Sequence, residues 1–125
     1  MEVACVADTA KHLPANTLAY NRDAAMHLTI GKSYRAGGMS VYAGSIMVLI
    51  CDDSQMPNWY PMQLFEVSHS RLPGNWHFAA YGDSSHLQAL WGYRELVLDD
   101  AHYDSLLERD PEALRIFLSR YQRST

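Results

Sequence analysis

The sequence predicts an α+β fold: a strongly curved antiparallel sheet, or a small SH3-like β-barrel, followed by two C-terminal helices. Three observations carry this expectation. Through most of residues 28–98, apolar residues either alternate with polar ones or run unbroken over strand lengths. Tight-turn residues separate these stretches. Past Leu98 the apolar period lengthens to that of a helix, so strands come first and helices last.

Residues 1–25 keep no sustained period. With Pro14, Asn16 and Asn21 in an Ala-rich background, they read as a loosely structured segment that adds little to the core. The folded domain then covers 26–125. Leu28, Ile30 and Tyr34 fall on one face of a strand, and Thr29, Ser33 and Arg35 on the other. Gly37-Gly38 marks a turn, since glycine accepts positive φ without a steric penalty. Met39 to Ile50 is apolar almost throughout and rich in β-branched residues, giving one long central strand or two broken at Gly44. Asp52-Asp53-Ser54 with Pro57 makes a loop. Gln63–Val67 and Trp76–Tyr81 are further strands on either side of the turn Leu72-Pro73-Gly74-Asn75. Leu87–Leu98 reads as a strand bent at Gly92. Asp99 or Asp100 caps a helix over about 100–109, with Tyr103, Leu106 and Leu107 on one side. Asp110-Pro111 restarts a second helix over about 111–122: a capping carboxylate, then proline where the N–H is not needed. Leu114, Phe117, Leu118 and Tyr121 form its apolar stripe.

The chain has 125 residues, 48% of them apolar, and a formal net charge of −4. This fits one domain able to build a core without disulfides or metal, and it argues against disorder. No uncharged apolar run reaches the roughly 18–20 residues that span a bilayer. The balance is not basic enough for an electrostatic grip on nucleic acid. The amino end lacks the pattern of a secretory signal, and Cys5 and Cys51 are the only two cysteines, so a reducing cytoplasmic location is expected. The charge is concentrated. Residues 99–112 carry six acidic side chains against Arg109, a balance of −5, whereas residues 113–125 carry three arginines.

Few residues carry chemistry by pattern. The six histidines include no HExxH pair and neither cysteine belongs to a CxxC, so no metal or other cofactor is expected. Asp83-Ser84-Ser85-His86 reads as a polar loop, and there is no GxSxG elbow. Asp52-Asp53 and Asp99-Asp100 are paired carboxylates, but neighbours on a strand point to opposite faces, so adjacency does not make a general acid–base pair. Two features stand out. Trp59-Tyr60-Pro61, read as a loop after two aspartates, offers rigid aromatic surface of the kind found at binding sites. Asp100, Asp104 and Glu108 recur every four residues, stacking as an acidic stripe along one flank of a helix.

A series of blocks also points to a family. They are Leu28-x-x-Gly31-Lys32-x-Tyr34, Asp52-Asp53-x-x-x-Pro57-x-Trp59-Tyr60-Pro61-x-x-Leu64-Phe65-Glu66-Val67, Leu72-Pro73-x-x-Trp76-x-Phe78, Gly92-Tyr93-x-Glu95-Leu96-Val97, and His102-Tyr103-x-x-Leu106-x-Glu108-Arg109-Asp110. Over about residues 26–120 the chain resembles a group of small uncharacterised bacterial proteins, similar in size and style to immunity proteins that neutralise toxins. The resemblance carries over a domain boundary and a style, and no active-site residue.

The reading that follows is a non-catalytic protein-binding module with a basic protein partner. Trp59 and Tyr60 would supply the anchor, and Asp100, Asp104 and Glu108 the complementary charge. Two alternatives stand beside it: a small enzyme using His77 or His86 with a carboxylate, and a homo-oligomer joined through an exposed sheet edge.

Overall fold

The apolar run from Met39 to Ile50 is explained by burial on both faces. In the computed structural model, which describes residues 1–9 and 26–123, it folds back on itself as a hairpin. Its strands are β3 (Gly38–Tyr42) and β4 (Ser45–Cys51). Ala43 and Gly44 turn the corner with φ of 49° and 81°, the two positive values that a two-residue hairpin loop needs. Strand β4 then sends Val48 and Ile50 into one core and Leu49 into another. From Met47 to Ile50, where both faces are buried, the alternation disappears.

Around this hairpin the described strands form two antiparallel sheets and no closed barrel. The larger, ordered β5-β4-β3-β8-β7, adds β5 (Pro57–Pro61), β7 (His77–Ala80) and β8 (Leu87–Gly92). The smaller, ordered β2-β1-β6, holds β1 (Glu2–Cys5), β2 (Ser33–Arg35) and β6 (Phe65–His69), the last entered through a single 3₁₀ turn. Its side chains Val3, Cys5, Tyr34 and Phe65 share a core with Val48, Ile50 and Tyr60 of the large sheet. The opposite face of the large sheet, through Leu49 and Leu90, packs on three helices: α1 (Arg94–Leu98), α2 (Asp100–Leu107) and α3 (Pro111–Arg123). The fold is therefore α+β in three layers.

Residues 1–9 depart from the expected loose segment. Strand β1 is the middle strand of the small sheet, and Val3 at 0% exposure is among its most buried side chains. A lone four-residue strand carries too little pattern to be read from sequence; its fit comes from pairing with β2 and β6. The rest of that segment, residues 10–25, lies outside the described residues. Leu87–Leu98 is not one strand either. It ends at Gly92, and α1 follows, making three helices rather than two. Gly92 pairs with Gly38 across β3 and β8, and a Cβ on either would come within 2.7 Å of the Leu96 side chain. The paired glycines open the space in which Leu96 brings α1 down onto the sheet. The expected helix caps are in place. Asp99 accepts the Ala101 N–H at 3.1 Å, and Asp110 accepts that of Ala113 at 3.1 Å.

Candidate binding groove

Trp59-Tyr60-Pro61 is not a loop. It belongs to β5, an edge strand, where proline's missing N–H is tolerated. The strand divides its residues between two faces. Tyr60 is 4% exposed and sits in the inter-sheet core, so it is no surface anchor; its hydroxyl donates to Asp52 at 2.5 Å. Trp59 points the other way, half-buried toward the helices. There its ring meets that of Tyr103 on α2, centroids 5.9 Å apart.

That contact is the middle of a groove along α2. A cavity of about 400 Å³ lies between the sheet and the helix, walled by Tyr42, Trp59, Tyr103 and Leu107, with Met47 as its buried floor. His86 stands at its margin, its ring 6.0 Å from that of Tyr42 and tilted against it. A second cavity of about 260 Å³ shares Met47, Trp59 and Leu107 and ends at Arg109. A third, of about 220 Å³, shares Tyr103 and is closed by Tyr81, Asp100 and Asp104 over leucine side chains. Along α2 from its C-terminal to its N-terminal end, the second cavity comes before the first and the third comes last.

Arg109 fixes one end of this groove. It stands just past α2 with φ of 62°, a left-handed conformation usually given to glycine. Its N–H reaches the Leu106 carbonyl and the Asp110 N–H that of Ser105, the two bonds of a Schellman stop. Its guanidinium donates to the Pro57 carbonyl at 3.2 Å and to Asn58 Oδ1 at 2.7 Å. The helix is thereby tied to β5, and the spacing between Trp59 and Tyr103 is set. Sequence reading missed Arg109 because its partners lie about fifty positions away.

The acidic stripe is exposed on α2, and it is not balanced. Asp100, Asp104 and Glu108 make no side-chain hydrogen bond or ion pair among the described residues. Cations elsewhere in the fold have other partners: Arg120 binds Glu95 at 2.6 Å, Arg115 binds Glu112, and Lys32 binds Asp53 at 2.7 Å. The field also reaches the aromatic groups. Burial, reinforced by Tyr42, Asp104 and Tyr81, pushes the Tyr103 hydroxyl up to about 12. Burial and then Asp100 raise that of Tyr81. Sequence reading placed the aromatic anchor and the acidic helix apart; the fold brings Trp59, Asp100 and Asp104 to one groove. Glu108 stands beyond the last helical turn of α2, as its C-cap.

The other paired carboxylates are internal. Asp52 is 2% exposed and accepts from Ser54, Asn58 and Tyr60. Burial works to raise its pKa, but the bonds from Ser54, Tyr60 and Asn58 outweigh this and hold it below the ordinary value. Asp53 accepts from Lys32, Thr29 and Tyr34, and those donors hold its pKa at about 2. Together they join the chain leading into β2 to the β4–β5 turn.

The histidines named for catalysis, His77 and His86, are exposed and make no hydrogen bond with a carboxylate among the described residues. Among the described residues the buried histidine is His102, on the inward side of α2, whose Nε2 lies 2.6 Å from the Tyr93 hydroxyl. Cys5 and Cys51 are free thiols. Among the described residues, no three of His, Cys, Asp and Glu converge to hold a metal, and no helix is long and apolar enough to cross a membrane. Comparison with family models, with curated proteins and with solved structures finds no match for this chain.

Proposed function

We propose that the protein is a binding module whose groove along α2 receives a basic segment of another protein. The observation that carries this is the meeting of Trp59 and Tyr103, 5.9 Å apart, next to two carboxylates without partners. An aromatic wall supplies contact area with little side-chain entropy to lose, and unpaired charge at the rim speeds and orients encounter. Neutralisation of a basic toxin, in the manner of an immunity protein, is the biological form this binding would take. Tyr60, once grouped with Trp59, has no part in it, and Glu108 contributes only to the distant field.

Selection of peptides from a random library on the immobilised protein tests the reading. Enriched peptides are expected to carry net positive charge, to bind less tightly at high salt, and to lose more than about 2 kcal/mol of affinity on Trp59→Ala, a hot-spot value. A folded Trp59→Ala that binds the selected peptides undiminished removes the groove from the model. So does selection of acidic or uncharged peptides.

A further inference from the structure

We propose that the N-terminal end of the groove, the pocket formed by Tyr81, Tyr103, Asp100 and Asp104, is a receptor for a single arginine side chain of the partner. The inference rests on the reading of the groove as a protein-binding surface and names the chemical group it recognises. The cavity, about 220 Å³, is smaller than the ~300 Å³ at which small-molecule sites begin, so it suits one side chain rather than a cofactor. Its floor of Leu87, Leu90 and Leu96 is apolar, matching the methylene stem of a long cationic residue. Tyr81 and Tyr103 also line it, and tyrosine rings attract cations. Its rim carries Asp100 and Asp104, one helical turn apart, and none of the residues that line it is a cation.

Arginine fits this arrangement better than lysine. A guanidinium is planar, so it can lie against a tyrosine ring while its in-plane N–H groups donate to two carboxylates at once. An ammonium is compact and more strongly hydrated, and it cannot span a helical turn in the same way. A citrulline side chain keeps the shape and loses the charge, so it separates recognition of cation from recognition of form.

The experiment is an NMR titration of the intact protein with Nα-acetyl-arginine methylamide, alongside the lysine and citrulline analogues. Saturable shifts are expected at the amides of Tyr81 and of residues 100–104, with the lysine analogue weaker by roughly threefold and the citrulline analogue inert. The Asp100→Asn/Asp104→Asn double variant should weaken the arginine analogue by about tenfold, with its dispersed spectrum attesting the fold. Glu66→Gln, on β6 of the small sheet and outside the groove, should leave this small probe unaffected. Equal shifts from citrulline, or undiminished binding by the double variant, overturn the pocket.

The selected peptides keep this failure distinct from failure of the groove. If they bind through Trp59 but tolerate replacement of every arginine by citrulline, the pocket is wrong and the groove stands. If the arginine analogue binds while no peptide depends on Trp59, the pocket stands and the groove reading is wrong.

Discussion

Two pairs of aspartates in this molecule have the same chemistry and opposite surroundings. Asp52 and Asp53 sit between β4 and β5, where six side-chain donors, from Thr29, Lys32, Tyr34, Ser54, Asn58 and Tyr60, and the Ser54 backbone N–H converge on them. Asp100 and Asp104 sit on α2 with no side-chain partner among the described residues. The first pair answers needs inside the fold. The second pair places like charges four residues apart, a cost of a few tenths of a kcal/mol that at Asp100 is offset by its place in the first turn of α2. The contrast separates acidic residues spent on stability from acidic residues left available.

The largest effect that tests this contrast belongs to Asp52. Asp52→Ala removes the buried carboxylate to which the Tyr60 hydroxyl and the Asn58 amide donate. A loss of about 3 kcal/mol is expected in urea denaturation, the size associated with stranding buried donors of a charged group. The same measurement on Asp100→Asn should stay within about 0.5 kcal/mol of the parent. Equal losses at the two positions would erase the distinction.

Arg109 gives the next effect, because it combines a strained backbone with two bonds to β5. Arg109→Ala keeps the left-handed strain and loses the bonds, so a loss of about 1–2 kcal/mol is expected. Arg109→Gly relieves the strain while losing the same bonds, and should fall within about 0.5 kcal/mol of the parent. Its groove, no longer tied at Pro57 and Asn58, should still bind the selected peptides less well than the parent. Unchanged affinity in Arg109→Gly would mean that packing alone sets the Trp59–Tyr103 spacing.

Acid unfolding sharpens the comparison by showing which groups the fold has shifted. Burial lowers the pKa of His102, so the unfolded chain binds the proton more tightly. Its contribution is fully present above the unfolded value of 6.5 and is lost as pH falls through the lowered folded value. The Asp53 pKa, lowered from 3.8 to about 2 by Lys32, Thr29 and Tyr34, acts later. Its contribution is present above 3.8 and disappears as pH falls toward about 2. Stability measured against pH should therefore fall in two stages. His102→Gln should remove the first, and Asp53→Asn should shrink the second, to which Asp52 and Glu95 also contribute; a variant that leaves its own stage unchanged would show that its group does not titrate there.

Legibility in the sequence followed the range of the interaction. The Asp110-Pro111 restart of α3 and the Asp99 cap are local hydrogen bonds, and they were readable as such. The hairpin at Gly44 was one of two alternatives because a run buried on both faces shows no alternation to count. Helix α1 was hidden because five residues are too short to display a period, and because the space made by Gly38 and Gly92 is visible only once β3 and β8 pair. At the site, Trp59 and the acidic stripe were each identifiable by residue type. Their meeting was not, since it depends on the Arg109 bonds across to β5. Tyr60 was misassigned for a related reason: flanking prolines suggested a loop, whereas an edge strand accommodates them.

The smallest expected effect is also the one on which the comparison depends most directly. If Asp104 and Glu108 have no role within the fold, removing their charge should not weaken it. Asp104→Asn relieves like-charge contacts with both Asp100 and Glu108, each four residues away. Glu108→Gln relieves one of these, and also removes a negative charge from the C-terminal end of α2, where the helix dipole disfavours it. Each substitution is therefore expected to raise stability by about 0.3 kcal/mol, measurable as a small upward shift of Tm that vanishes at high salt. For Asp104 the gain should accompany weaker peptide binding, because stability and recognition ask opposite things of this carboxylate. If Asp104→Asn instead lowers stability as Asp52→Ala does, the carboxylate is serving the helix itself. The distinction between the two acidic regions would then fail at its simplest point.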